Sequence, residues 1–215
     1  MTLFGLIKFL ELSSAIIGSI YYKKYSHTFL RYFLFLLWLI TGVEFTMWFL
    51  KIYEVSIQNN FVYNLLTSVQ YIYLLLLYHR TVKSKKYKLW ILAFLIIFLI
   101  SITINFVWLD KLMTTSAFSS YTFTMGAVFL IASIGLFLVE ILNTEKVLYF
   151  QKYLMFWISA GLAFYYTAII PYIISLNFLP AFRSTGTWTF IIFTLNLVMY
   201  GCFCVGFIVS KKLAD

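Results

Sequence analysis

The sequence predicts an all-α polytopic membrane protein: one seven-transmembrane-helix bundle over residues 1–215, with its N-terminus outside and its C-terminus in the cytoplasm. Three observations carry this. Hydrophobic residues make up 63% of the chain and charged residues 11%, with a mean hydropathy of +0.95. A soluble domain is about 45–50% apolar and about 25% charged. The apolar residues fall into seven long runs, near the roughly 20 residues that a helix needs to cross a hydrocarbon core about 30 Å thick. Segments such as Leu89–Ile104 are apolar all round rather than on every second residue, so the runs read as helices and not as barrel strands.

The first span, 3–22, opens with MTLFGLIKFLEL. It lacks the basic start and small-residue cleavage site of a signal peptide, so it is expected to stay in the mature protein. It carries Lys8 and Glu11, three residues apart and so on one face, continued by Ser14 and Gly18. The second span, 29–50, carries Thr41 and Glu44. The third, 61–79, offers Asn64, Thr67, Ser68 and Tyr71, with Gln70 beside them. The fourth, 89–108, has Ser101 and Asn105, and the fifth, 118–141, ends at Glu140, read as an interfacial charge. Pro171 in the sixth span, 153–176, removes a backbone hydrogen bond. It is expected to kink the helix beside Tyr165, Tyr166 and Tyr172. The seventh span, 187–210, contains Asn196, Tyr200, Cys202 and Cys204. Connections are short, and no linker marks a second domain.

Twelve of the sixteen Lys and Arg residues fall on one side of these spans. They are Lys23, Lys24, Arg31, Arg80, Lys83, Lys85, Lys86, Lys88, Lys146, Lys152, Lys211 and Lys212. Lys8, Lys51, Lys111 and Arg183 fall on the other. Cytoplasmic loops hold the excess of Lys and Arg, which sets the orientation. The net charge of +9 then reflects topology and attraction to anionic lipid headgroups, not nucleic-acid binding. The densest patch, Arg80, Lys83, Lys85, Lys86 and Lys88, is expected to contact lipid or an acidic partner. Tyr21, Tyr22, Trp48, Tyr53, Tyr63, Trp90, Trp108 and Trp188 form the expected interfacial aromatic belt.

Much membrane chemistry lacks its residues here. His27 and His79 both sit at cytoplasmic span ends, which leaves no His inside the bundle for haem or copper. Asp110 and Asp215 lie outside the spans, so no aspartate pair is available for an intramembrane protease. No GxSxG is present, and no Ser has a His at membrane depth as its base. Span seven has no Lys to hold retinal, and no Pro-Gln pair marks a PQ-loop transporter. Cys202 and Cys204 point to different helix faces and read as small apolar residues. No metal, no cofactor and no enzymatic activity are expected.

What remains is polar residues inside the membrane, which are expensive and therefore mark sites. Lys8, Glu11 and Glu44 should share one depth in the outer half. With Asn64, Asn196 and Tyr200 they are the candidate ligand- or ion-binding residues. The Ser, Thr and Asn residues have a plainer reading as hydrogen-bonding glue between helices. Glu44 needs a cation, a proton or a ligand, and Lys8 is its nearest expected partner.

Spans six and seven carry YLMFWISAGLAFYYTAIIPYIIS and TWTFIIFTLNLVMYGCFCVGFIVSKK. This pattern resembles the end of the seven-helix membrane sensor region of bacterial histidine kinases, at Phe156, Trp157, Gly161, Asn196 and Gly206. The close likeness covers about a quarter of the chain, and no kinase domain follows. The resemblance implies a stand-alone module in a bacterial inner membrane that signals through a separate protein.

The expected function is a sensory or regulatory membrane module. It would bind a small or lipophilic ligand in the outer half of the bundle and act on a cytoplasmic or membrane partner, or as a homo-oligomer. The alternative is a small transporter, channel or pore-forming effector using the intramembrane carboxylates. A lipid-modifying enzyme is the weakest reading, because His and Asp are missing from the spans.

Overall fold

The computed structural model describes residues 3–53, 59–109, 119–178 and 186–211. Seven long helices order the chain: α1 (Leu3–Ile20), α2 (Arg31–Ile52), α3 (Asn59–Thr81), α4 (Lys85–Ile104), α5 (Ser120–Leu142), α6 (Leu154–Phe178) and α7 (Gly186–Val209). Each expected run forms one helix, with ends within four residues of the sequence boundaries. Short 3-10 segments follow α1 and α5, at Tyr22–Lys24 and Glu145–Lys152, and a π-helical turn, Asn105–Leu109, extends α4. No strand occurs among the described residues.

Six helices among the described residues are long and apolar enough to cross a membrane. These are α2 to α7; α1 stands outside that count, so the seven expected spans become six here. Large apolar side chains such as Phe35, Leu89, Ile100 and Phe190 are exposed. That arrangement suits a chain whose solvent is hydrocarbon.

The chain forms two compact units. One comprises residues 1–45 and 141–215, and the other residues 46–140. In the first, α7 packs against both α1 and α6. Small residues permit the close approach: a Cβ on Gly161 would lie 2.9 Å from the Met199 carbonyl oxygen, and one on Gly206 would lie 2.7 Å from the Trp157 Cβ. Such contacts are the usual way helices pack without a hydrophobic driving force. Phe33 meets Phe203 edge-on, with ring centroids 5.2 Å apart.

In the second unit, α3 and α4 are neighbours. Tyr71 is fully buried with its ring edge-on to Phe98 and Phe123, and it fills the space beside Gly126. Phe94 stacks on Phe129 at 5.3 Å.

Pro171 does not end α6, which continues to Phe178, and Pro171 itself is exposed. The structure thus places this proline on an outer surface of its unit. One unmade backbone bond is tolerable in a membrane helix when neighbouring groups adjust.

Candidate functional site

The first unit gathers polar residues from four helices. On α1, Lys8 and Glu11 share a face. Lys8 reaches α2, where its Nζ forms an ion pair with the Glu44 carboxylate and also donates to the Glu44 backbone carbonyl at 3.2 Å. Two of the three ammonium protons are thus spent on one residue. Both side chains are only partly exposed, at 15% and 23%. A pair removed from water to that degree needs good geometry to offset its desolvation, and the second bond to the carbonyl supplies some of it.

Glu11 lies deeper, at 6% exposure. It receives a hydrogen bond from the Tyr200 hydroxyl of α7 and lies within electrostatic reach of Glu44 and Lys8. Its Oε2 has no hydrogen-bond partner among the described residues. Tyr165 of α6 completes the cluster, near both glutamates and in hydrogen-bonding contact with Asn196. The Asn196 amide also donates to the Ile192 carbonyl at 2.8 Å. Thr41 sits one turn before Glu44 on α2, buried, and its Oγ1 has no hydrogen-bond partner either.

Helical spacing accounts for the convergence. Positions 8 and 11, 41 and 44, and 196 and 200 are three or four residues apart, so each pair projects from one face. Two carboxylates share one ammonium here. With all three ionised, the cluster carries an excess negative charge in a low-dielectric interior, a costly state unless a cation or a proton joins it. Among the described residues no group of three or more His, Cys, Asp or Glu could hold a metal ion.

Five of the six candidate residues therefore come together: Lys8, Glu11, Glu44, Asn196 and Tyr200. Asn64 does not. It belongs to the second unit, where its Oδ1 accepts the Ser119 backbone N–H at 3.0 Å. In that unit Asn105 Nδ2 donates to Ser119 Oγ at 2.7 Å and to Thr122 Oγ1 at 2.9 Å. The hydroxyls of Ser119 and Thr122 are 3.0 Å apart. This is a buried, mutually satisfied amide–hydroxyl network of the kind that fixes helix contacts. Tyr165 is the residue that sequence reasoning did not place in the site; its spacing from the exposed Pro171 tied it to the kink instead.

Two further charges have specific partners. Glu140 is more than an interfacial charge: its carboxylate accepts the backbone N–H groups of Lys83 and Ser84 at the start of α4. Lys24 donates to the carbonyls of Phe207 and Ile208 at 3.2 and 2.7 Å, so it caps the C-terminal end of α7, where a cation suits the helix dipole. In the basic patch, Arg80, Lys83, Lys85 and Lys86 are exposed and Lys88 is partly exposed.

Comparison with protein-family models, curated proteins and solved structures finds no match for this chain. The class that fold and composition support is a polytopic α-helical membrane protein.

Proposed function

We propose that this protein is a seven-span sensory or regulatory module of a bacterial inner membrane, with α1 as the seventh span, the N-terminus outside and the C-terminus inside. The ligand site is the polar cluster of Lys8, Glu11, Glu44, Tyr165, Asn196 and Tyr200. In this orientation the cluster lies in the outer half of the membrane. A separate cytoplasmic or membrane partner reads the response at the basic patch from Arg80 to Lys88, which also contacts anionic lipid. The resemblance of spans six and seven to histidine-kinase sensor regions agrees with this reading.

The observation that carries the proposal is the convergence of four helices on one charged cluster. A change in occupancy there acts on α1, α2, α6 and α7 together. Signalling needs a ligand to bind two helix arrangements with different affinity, and a shared, charge-imbalanced cluster makes such a difference.

The second reading, a small transporter or channel, is favoured by the unpartnered Oε2 of Glu11, since membrane carboxylates commonly mark ion and proton paths. The two separate in proteoliposomes. Spin labels at Ile16→Cys on α1 and Val205→Cys on α7, with the native cysteines replaced, report helix movement after a pH step. The sensor reading expects a distance change that Glu11→Gln abolishes, with no flux of protons, sodium or potassium. Flux that Glu44→Gln abolishes instead establishes transport and defeats the sensor.

A further inference from the structure

We propose that Glu11 is a proton-exchange site, taking its proton on Oε2 while Lys8 and Glu44 stay locked as a fixed ion pair. This deepens the reading above by naming the ligand class of the same cluster: the proton itself.

The geometry divides the two carboxylates into different roles. Glu44 holds the Lys8 ammonium through both its side chain and its backbone carbonyl. Among the described residues, Glu11 has the Tyr200 hydroxyl as a donor and one buried oxygen without a partner. An unsatisfied carboxylate oxygen in an apolar interior is costly. Adding a proton there forms one O–H bond, converts –COO⁻ to –COOH and takes the cluster from a net negative charge to neutrality. The proton comes from hydronium in the bulk solvent, leaving water, and returns to water as hydronium, so the step balances without another reactant.

Among the described residues, four titratable groups face Glu11. Lys8 lies on its own helix, Glu44 on α2, Tyr165 on α6 and Tyr200 on α7. Tyr172 of α6 lies beyond, next to Tyr165. Tyr22, Lys23 and Lys24 follow α1 at its other end, roughly 16 Å along the axis at 1.5 Å per residue. Among the described residues of the cluster, Glu11 is the carboxylate that combines deep burial with an open oxygen, and the Tyr200 hydroxyl donates to it. Loss of the Glu11 proton leaves a buried charge shared by α1 and α7, which gives the cluster two states.

Infrared difference spectroscopy of the full chain in lipid nanodiscs, between acidic and alkaline buffer, tests this. The expected result is a carboxylic C=O band that titrates with a single midpoint, is lost in Glu11→Gln, and survives in Glu44→Gln. In Glu44→Gln its midpoint shifts, because Lys8 then loses its fixed partner and is free to face Glu11. If Glu11→Gln does not fold, Tyr200→Phe serves instead: removing the donor must shift the band. A band that survives Glu11→Gln, a band unmoved by Tyr200→Phe, or no titrating band overturns the proposal. So does a band displaced by sodium at constant pH, which assigns the site to a metal cation. A titrating Glu11 without helix movement or flux refutes the proposed function and leaves this inference standing. Movement without the band does the reverse.

Discussion

The carboxylate of Glu140, near the end of α5, accepts the backbone N–H of Ser84 at 2.9 Å. Ser84 is the N-cap of α4, and its own hydroxyl makes no capping bond. The same carboxylate takes the Lys83 N–H at 2.8 and 3.1 Å. Orphan amides at a helix start need acceptors, and here a side chain from another helix supplies them. Glu140→Ala is expected to destabilise the second unit by roughly 1–3 kcal/mol, the range for lost charge-assisted hydrogen bonds. Glu140→Gln retains an acceptor and should cost less. Thermal unfolding in detergent, with hydrogen exchange at residues 83–88, measures both. An unchanged exchange rate in Glu140→Ala refutes the clamp.

The contact between α6 and α7 yields a steric prediction. Gly161 faces a backbone carbonyl 2.9 Å from where its Cβ would stand, and a backbone group cannot rotate away. Gly161→Val should lower stability by roughly 1–3 kcal/mol, as overpacking does. Gly135→Ala meets nothing within 4 Å and serves as the neutral control. Equal melting temperatures for the two variants would contradict the close packing.

Asn105 joins the π-helical turn to the start of α5. Replacing it with Leu leaves the Ser119 and Thr122 hydroxyls without their amide donor. The expected loss is roughly 2 kcal/mol. Asn64→Ala orphans the Ser119 N–H and should cost a similar amount. Both residues touch Ser119, so the double variant should lose less than the sum. Strict additivity in a double-mutant cycle would show that the network does not act as one unit.

Tyr25 sits in the turn after α1, buried, and donates its hydroxyl to the Gly18 carbonyl at 2.6 Å. Burial, aided by the neighbouring Tyr22, pushes this phenol above its ordinary value. Its stabilising effect is therefore complete below pH ~10, the ordinary phenol value, and declines as pH rises through the folded-state value. Tyr25→Phe should be less stable than the parent at neutral pH and lose less on alkaline titration. A parallel decline in both proteins would remove Tyr25 as the cause.

Helix positions are local properties, and so they were legible. A run of twenty apolar residues has one stable form in lipid, because its backbone must bond within itself. Spacing also told which polar residues share a helix face, and equal depth suggested that Lys8, Glu11 and Glu44 meet. Asn64 shared those signals, yet its bond to Ser119, 55 residues away in the chain, was not legible, because periodicity carries no information about which helices adjoin.

The sequence by itself determined the class, the helical segments and the short inventory of charges available for function. Only the tertiary structure decided most of their pairing. The Lys8–Glu44 pair was expected from depth, but the structure added its second bond to the Glu44 carbonyl, brought Tyr165 and Tyr200 beside the glutamates, and set Lys24 and Glu140 on the ends of other helices. The physical reason is one of range. Burial of apolar length is scored residue by residue along the chain, whereas a buried charge is satisfied only by groups that packing brings within a few ångströms.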